Sequence, residues 1–472
     1  MKLRPLFALM AVFSLLILFE GIVSAQDYSF QQYKNNKEKY GIPLKTLLQD
    51  TQKELGITIT WNKKVEPYLE EKIPVAPWKL WADPSLRLAY FLAPVDLSFE
   101  KIDEKTYRIF EPWYYVRPES EAKAHLDRLQ KLFPDRESWE NRKIALKKSI
   151  LEKLQLDPLP KKCDQAPIYT EKRIHDGYSV RNVALEILPG WYLCGSLYEP
   201  TEGKGPFPAI LNPHGHGKKG RFGETQQIRS ATLARMGAVC FTYSMFAWQD
   251  LESPLKREAH RDPISGSIQT LDSMRVLDFV SSLPNVDSNK IGITGASGGG
   301  TQTFLATALD PRIKVSVPVV MVSAHFYGGC PCESGNPFHI TCGGTCNAEI
   351  AAMAAPRPML IIAVTKDWTK NVPNVEFPYI QSIYNYYGAK NKVEFAYFDE
   401  EHGYSAAMRN AMYPFMAKHL GLDIKKADES KVVVEPDDAL LVFGNDLAKY
   451  PKNGIKSLDE LKILWNKIHQ QK

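Results

Sequence analysis

The pentapeptide Gly295-Ala296-Ser297-Gly298-Gly299 has the G-x-S-x-G pattern in which a serine can act as a nucleophile. A serine hydroxyl is weakly nucleophilic until a base takes its proton, and an acid must then orient and stabilise that base. Two later stretches supply these residue types: IIAVTKDW contains Asp367 and FDEEHGY contains His402. The order Ser297, Asp367, His402 predicts acyl transfer through a covalent serine intermediate.

Two other interpretations of these residues have to be weighed. Glu333, in a cysteine-rich loop, is a second candidate for the acid. A glycine-rich loop can also bind phosphate, but this one has no lysine at the spacing of a nucleotide-binding loop. It also lacks the later acidic residue that contacts the ribose in dinucleotide-binding folds. The serine nucleophile is therefore the favoured interpretation.

Backbone N–H groups that stabilise an oxyanion are expected at two places. Gly298 directly follows the serine, at the start of a predicted helix. The loop His214-Gly215-His216-Gly217 follows an early strand and is close to the H-G-G-G type of esterases, so Gly215 and His216 are the expected second donors. Two histidines can also bind a metal, but no third ligand stands nearby in the sequence. We expect neither a metal nor an organic cofactor.

These residues need a scaffold that brings several strand ends together. From about residue 170 onward, helical patterns alternate with the apolar strands FPAILNP, GAVCFTYSMF, KIGIT, RIKVSVPVV, RPMLIIAVTKD and KVEFAYF. This alternation predicts a parallel sheet with helices on both faces. Ser297, Asp367 and His402 each follow one of these strands, and the carboxyl ends of parallel strands are where ligands gather.

The first residues have the order of a secretory signal peptide. Lys2 and Arg4 precede an apolar stretch at 6–18, and small residues follow at 23–25. We therefore expect residues 1–25 to be removed and the mature protein to lie in the periplasm or outside the cell. No cysteine near the cleavage point offers a lipid anchor, and no later segment is long and apolar enough to span a bilayer.

Residues 26–112 are predicted to form a small α+β domain. One helix carries leucines at helical spacing, the strand ITITW follows it, and a second helix, SLRLAYFLA, precedes the hairpin LSFEKIDEKTYRIFE. This order resembles the short N-terminal secretin and TonB module of bacterial envelope proteins, which implies docking to an envelope partner. An unrelated small α+β domain is the alternative.

The remaining boundaries follow from changes in composition. Residues 113–168 are highly charged with helical spacing and are predicted to be solvated connecting helices. The sheet domain is placed at 169–425, and residues 426–472 are expected to be an extension that packs on it. The net charge is only +5, without a dense run of lysine and arginine, so nucleic acid is not an expected partner.

Four of the seven cysteines stand close together, in Cys330-Pro331-Cys332 and Cys342-Gly343-Gly344-Thr345-Cys346. In an exported chain this predicts disulfides within the loop. A zinc site and free thiols are the alternatives, although C-x-C followed by C-x3-C is not a familiar zinc spacing.

Residues 170–420 resemble the secreted bacterial α/β-hydrolase carbohydrate esterases of the acetyl-xylan-esterase-like group. The stretches that carry the resemblance are NPHGHG, SMRVLDFVSSLPNVDSNKIGITGASGGG, GGCPCES and APRPMLIIAVTKDWT. With its small N-terminal domain the chain also resembles gut-bacterial pectin methylesterases of this fold. The resemblance implies an α/β-hydrolase fold, a triad of Ser297, His402 and Asp367, and a polysaccharide or oligosaccharide ester as substrate.

The choice of ester depends on the loop after His216. Lys218, Lys219 and Arg221 are expected to bind the carboxylates of a uronic-acid polymer, unless they form only a solvated turn. Trp248 and Trp368 are expected to present aromatic faces to sugars, unless they only pack. This favours methyl esters of galacturonate in pectin. Deacetylation of xylan or another glycan is one alternative, and a non-catalytic glycan-binding protein on a hydrolase scaffold is another.

Overall fold

The computed structural model describes residues 41–73, 82–95, 97–111 and 117–470. The predicted signal peptide, residues 1–25, lies outside them. No helix within the described ranges is long and apolar enough to cross a bilayer.

The small N-terminal domain has the predicted elements. Its β4 and β5 form the antiparallel hairpin, β2 joins β5 in parallel, and β1 pairs with β3. The buried leucines of the first helix lie in the same core as the apolar residues of this sheet. The resemblance to the envelope module and its docking role stay predictions. The elements are β1 (Ile42–Pro43), α1 (Leu44–Leu55), β2 (Thr58–Trp61), β3 (Lys72–Ile73), α2 (Pro84–Leu92), β4 (Ser98–Lys101) and β5 (Thr106–Phe110).

The connector contains two helices, α3 (Ala122–Gln130) and α4 (Arg136–Lys153). The helical prediction is confirmed, but the prediction that they are merely solvated is wrong, because Leu129 and Trp139 are fully buried in the main core. Arg142 of α4 is also buried and pairs with Glu349 at 2.5 Å. Charged residues dominate the sequence of this segment, but both helices also have an apolar face. That face packs against the sheet domain.

The large sheet explains how distant residues meet. Its strand order is β15-β14-β13-β12-β10-β11-β9-β8-β6, with β7 also paired to β8. The strands from β10 to β15 run parallel to one another, whereas β9 is antiparallel to both β8 and β11. The strands are β6 (Ile168–Tyr169), β7 (Arg173–His175), β8 (Tyr178–Leu188), β9 (Trp191–Pro200), β10 (Phe207–Leu211), β11 (Val239–Tyr243), β12 (Val286–Ala296), β13 (Ile313–Val319), β14 (Met359–Val364) and β15 (Val393–Phe398).

Helices cover both faces of this sheet, which confirms the predicted α/β-hydrolase fold. Successive strand residues point to opposite faces, so Ala209 and Leu211 lie in one core while Ile210 lies in the other. The first core includes α7, α8 and α11, and the second includes α5 and α12. The helices are α5 (Glu224–Arg235), α6 (Glu252–Leu255), α7 (Ile264–Ser282), α8 (Gly298–Leu309), α9 (Pro331–Ser334), α10 (Asn347–Ala352), α11 (Glu376–Asn385), α12 (Ala406–Leu420) and α13 (Leu458–Gln470).

The C-terminal extension lies against the sheet domain. Glu435 pairs with Arg173 of β7 at 2.7 Å, and the backbone N–H of Val442 donates to Asp250 at 2.7 Å. Farther along, α13 packs its Trp465 into the main core. The extension therefore supports the antiparallel end of the sheet, away from β15.

Candidate active site

Ser297 occupies a sharp turn between β12 and α8. Its backbone has φ 57° and ψ −125°, a region that side-chain-bearing residues rarely adopt and that marks stored strain at functional sites. The turn is held on both sides: Ser297 N–H donates to the oxygen of Val319 in β13 at 3.1 Å, and Thr301 N–H donates to the oxygen of Ser297 at 3.0 Å. The parallel β13 and the first turn of α8 thus fix the serine in place.

The glycines around Ser297 let the loop after β10 lie directly on this turn. A Cβ at Gly215 would stand 2.6 Å from the oxygen of Ala296 and 3.0 Å from Cβ of Ser297. A Cβ at Gly299 would stand 2.5 Å from the oxygen of Pro213. Only glycine allows these approaches. The run of glycines is thus explained by packing between the two segments that carry the expected oxyanion donors.

His402 and Asp367 form a hydrogen-bonded pair. Nδ1 of His402 donates to Oδ2 of Asp367 at 2.7 Å, and Oδ1 of Asp367 accepts from both the backbone N–H and the hydroxyl of Thr369 at 2.6 and 2.5 Å. The aspartate side chain is 2% exposed and the histidine side chain 31%. A carboxylate held this way fixes the imidazole tautomer and leaves its Nε2 available as a base.

Ser297 and His402 line one cavity of about 480 Å³. Trp368 forms part of its wall: its ring stacks on Phe326 at 4.0 Å and lies 4.5 Å from the His402 ring. Trp248 lines another part. The full lining is His216, Trp248, Arg257, His260, Arg261, Ser297, Phe326, Gly329, Cys330, Glu333, Trp368 and His402.

Five of these lining residues were not singled out in the sequence analysis: Arg257, His260, Arg261, Phe326 and Gly329. The first three come from the segment REAHR, in a 3-10 turn that precedes α7. No local pattern there indicates a functional site, because only the tertiary fold brings residues 257–261 to the end of β12.

Glu333, the alternative acid, also lines the cavity but has other partners. Its Oε2 accepts from Gly329 N–H at 2.9 Å and its Oε1 accepts from the Thr301 hydroxyl at 3.3 Å. Burial raises the pKa of Glu333. Since Asp367 is the carboxylate that accepts from Nδ1 of His402, the geometry favours Asp367 as the acid.

The two histidines of the loop after β10 have different environments. His214 is buried, donates from Nδ1 to the oxygen of Gly215 at 2.7 Å and accepts from Met245 N–H at Nε2. Burial lowers the pKa of His214 to about 3, so it is neutral and braces the loop. His216 instead points its Nε2 towards Nε2 of His260, at 3.1 Å, and Sγ of Cys332, at 3.2 Å.

The prediction of disulfides in the cysteine-rich loop is wrong: all seven cysteines are free thiols. Cys330 and Cys332 lie beside His216, whereas Sγ of Cys342 contacts the hydroxyl of Ser149 and Cys346 precedes α10. Cys332 belongs to α9, whereas Cys342 belongs to the 3-10 turn Pro337–Gly343. The hydrogen bond from Cys332, followed by the two histidines, lowers the pKa of the Cys330 thiol.

The prediction that Arg221 binds substrate is also wrong. The 3-10 turn Gly220–Phe222 directs its side chain inward, where it is buried, pairs with Asp250 at 2.5 Å and donates to the hydroxyls of Ser244 and Ser196. Lys219 is exposed and pairs with Asp437 at 3.2 Å.

Lys218 is exposed too, and neither lysine is among the residues that line the cavity. The cations at the cavity are Arg257 and Arg261. The guanidinium of Arg257 lies 3.7 Å over the ring of Trp248.

Replacing Arg221 by glutamine should lower stability rather than alter substrate binding. The change leaves Asp250 buried without its cation, and breaking one side of a buried ion pair costs about 3–5 kcal/mol. Urea unfolding should show this loss, while the matched variant Lys219→Gln, at an exposed pair, should change by less than about 1 kcal/mol. A stable Arg221→Gln protein with an altered KM would restore the substrate-binding interpretation.

Comparisons with known proteins agree with this architecture. Residues 268–328 match the family model of acetyl xylan esterase (AXE1). The solved structure of methylesterase BT1017 is 38% identical in sequence, with a TM-score of 0.74 over 91% of this chain and 98% of that one.

Two curated relatives match shorter stretches. YtaP of Bacillus subtilis (strain 168) is 25% identical over 197 residues, which span 36% of this chain and 63% of the relative. Protein PA2218 of Pseudomonas aeruginosa is 30% identical over 136 residues, which span 28% of this chain and 34% of the relative. The matches thus cover less than two thirds of the length of either curated relative.

Proposed function

Because the chain belongs to the same family as methylesterase BT1017, we propose that it is a serine carbohydrate esterase that hydrolyses methyl esters of galacturonate in pectin. One observation carries the esterase assignment: the His402–Asp367 pair opens onto the same cavity as Ser297, which is held on the strained turn between β12 and α8. We further propose that residues 1–25 direct export to the periplasm or the cell exterior, and that the small domain docks to an envelope partner.

The proposed reaction has two steps. His402 takes the hydroxyl proton of Ser297 at Nε2 as the oxygen attacks the ester carbonyl, and backbone N–H groups of Gly298 and the Gly215–His216 segment stabilise the oxyanion. The bond to the methoxy oxygen then breaks, and methanol leaves with the proton from His402. Water, deprotonated by His402, attacks the acyl-enzyme and releases the carboxylate and the free serine.

The charge of the cavity supports a uronate substrate. Arg257 and Arg261 both line it, and guanidinium groups suit carboxylates because of their paired donors. A partly methylated pectin carries free carboxylates next to esterified ones. Trp248 and Trp368 supply the aromatic walls that sugars favour.

A second candidate function is removal of acetyl groups from xylan or a related glycan. The match of residues 268–328 to the acetyl xylan esterase family model favours it. The chemistry is the same except that the acyl group is acetyl and the leaving group is a sugar hydroxyl. Methanol and acetate released from methylated pectin and from acetylated xylan, measured side by side, distinguish the two. Release of neither product would favour a glycan-binding protein without activity.

The double variant Arg257→Gln with Arg261→Gln should raise KM for methylated pectic oligosaccharides by about tenfold or more. Each partly exposed charge contributes up to about 1 kcal/mol, and the two act on the same anionic chain. Added salt should weaken the wild type and affect the double variant less.

The matched control is Lys218→Gln with Lys219→Gln, which removes two exposed cations outside the cavity lining. It should change KM by less than about twofold. A small neutral ester should be hydrolysed equally well by all three proteins. An equal loss on neutral and anionic esters would mean that the arginines shape the cavity rather than bind charge.

A further inference from the structure

Four groups that commonly bind transition metals converge beside the catalytic cavity. His216 comes from the loop after β10, His260 from the 3-10 turn Arg257–Arg261, and Cys330 and Cys332 from the start of α9. One ligand atom from each, two imidazole nitrogens and two sulfurs, lies within 4.8 Å of all the others. We propose that this cluster is a zinc site closed by four protein ligands.

The spacing of the ligand atoms suits a tetrahedral ion. With Zn–N near 2.0–2.1 Å and Zn–S near 2.3 Å, a tetrahedron puts two nitrogens about 3.3 Å apart and a nitrogen and a sulfur about 3.5 Å apart. The Nε2 atoms of His216 and His260 are 3.1 Å apart, and Nε2 of His216 is 3.2 Å from Sγ of Cys332. Both observed separations are a few tenths of an ångström shorter than these tetrahedral distances. Small rotations of the side chains would remove the difference.

The orientation of His260 is that of a metal ligand. Its Nδ1 donates to the backbone oxygen of Phe246 at 2.7 Å. A carbonyl oxygen only accepts, so Nδ1 carries the proton and the Nε2 lone pair faces the cluster. This backbone hydrogen bond to the second ring nitrogen is the arrangement that fixes the tautomer of metal-bound histidines.

The contacts within this cluster converge on Nε2 of His216. Nε2 of His216 can make one hydrogen bond, as donor or acceptor, yet Nε2 of His260 and Sγ of Cys332 both lie within 3.2 Å of it. Three of the four side chains are buried, with His260 3% exposed and each of the two cysteines 7%, and His216 is partly buried. Convergent nitrogen and sulfur ligands of this kind are the set that zinc prefers.

The position of the cluster indicates a structural role for the metal. The ring of His216 also packs on the helix start, since a Cβ at Gly298 would lie 2.9 Å from its Nδ1. Zinc would therefore join the loop after β10 to the 3-10 turn that carries His260 and to the start of α9, which all meet at this cluster. This role rests on the proposed function, because that loop is where the second oxyanion donor is expected. With four protein ligands the ion has no open position for water.

Metal analysis of the full chain, purified without chelator, tests the proposal. Elemental analysis should find about one zinc ion per chain. Cobalt added to the metal-stripped, reduced protein should give thiolate-to-cobalt charge transfer and the visible bands of tetrahedral cobalt. Cys332→Ser should lower the metal content at least about tenfold.

The matched control is Cys342→Ser, from the same cysteine-rich loop but outside the cluster, which should keep its metal. Ser297→Ala should also keep it, so failure of the esterase proposal and failure of the zinc proposal are distinguishable. The proposal is overturned if the reduced wild-type chain binds neither zinc nor cobalt. It is also overturned if mass spectrometry of the exported protein finds a Cys330–Cys332 disulfide.

Discussion

Ser297→Ala should abolish ester hydrolysis and leave a folded protein. The substitution keeps Cβ and removes only the oxygen that attacks the carbonyl, so kcat should fall by at least about 10³-fold. Alanine suffers the same backbone strain as serine at φ 57°, so the free energy of unfolding should change by less than about 0.5 kcal/mol. Methanol release from pectic oligosaccharides measures the first effect and urea unfolding the second.

Binding distinguishes loss of chemistry from loss of the site. Calorimetry should show that Ser297→Ala still binds a methylated oligosaccharide, since the cavity walls are unchanged. Ser253→Ala, at an exposed serine in α6, is the matched control and should have wild-type activity. Near-normal turnover by a folded Ser297→Ala protein would contradict the serine mechanism and, with it, the proposed function.

Local patterns in the sequence were sufficient to predict the fold and the positions of Ser297, Asp367 and His402 in it. The turn at Ser297 was predictable because a strand, a glycine-flanked serine and a helix follow one another within a few residues. Asp367 and His402 follow neighbouring parallel strands, β14 and β15, so the strand order alone brings them to one edge of the sheet. Their hydrogen bond was the expected consequence of that placement.

Side chains whose partners lie far along the chain could not be assigned in the same way. Arg221 stands next to two lysines in the sequence, but its partner Asp250 lies on a separate 3-10 turn. The three neighbouring cationic residues therefore suggested a basic surface, whereas in the structure Arg221 forms a buried ion pair. The spacing of Cys330 and Cys332 likewise did not reveal His260, which reaches them only through the packing of the turn before α7.

Asp367→Asn should reduce kcat by about 10⁴-fold, as expected when the orienting acid of such a triad becomes an amide. The structure gives the reason. Thr369 donates twice to Oδ1 of Asp367, so an asparagine will keep its oxygen there and turn its NH₂ group towards Nδ1 of His402. The imidazole must then accept at Nδ1 and carry its proton on Nε2, where it can no longer take the proton of Ser297.

Glu333→Gln provides the matched comparison, because it makes the same chemical change at the other buried carboxyl group of the cavity. Glu333 accepts from Gly329 and Thr301 rather than from His402, so its loss of charge should lower kcat by no more than about tenfold. Steady-state kinetics of both variants on one methyl ester give the ranking directly. If Glu333→Gln proves the more damaging change, the acid belongs on α9, and the hydrogen bond between His402 and Asp367 only holds the loop after β15 in place.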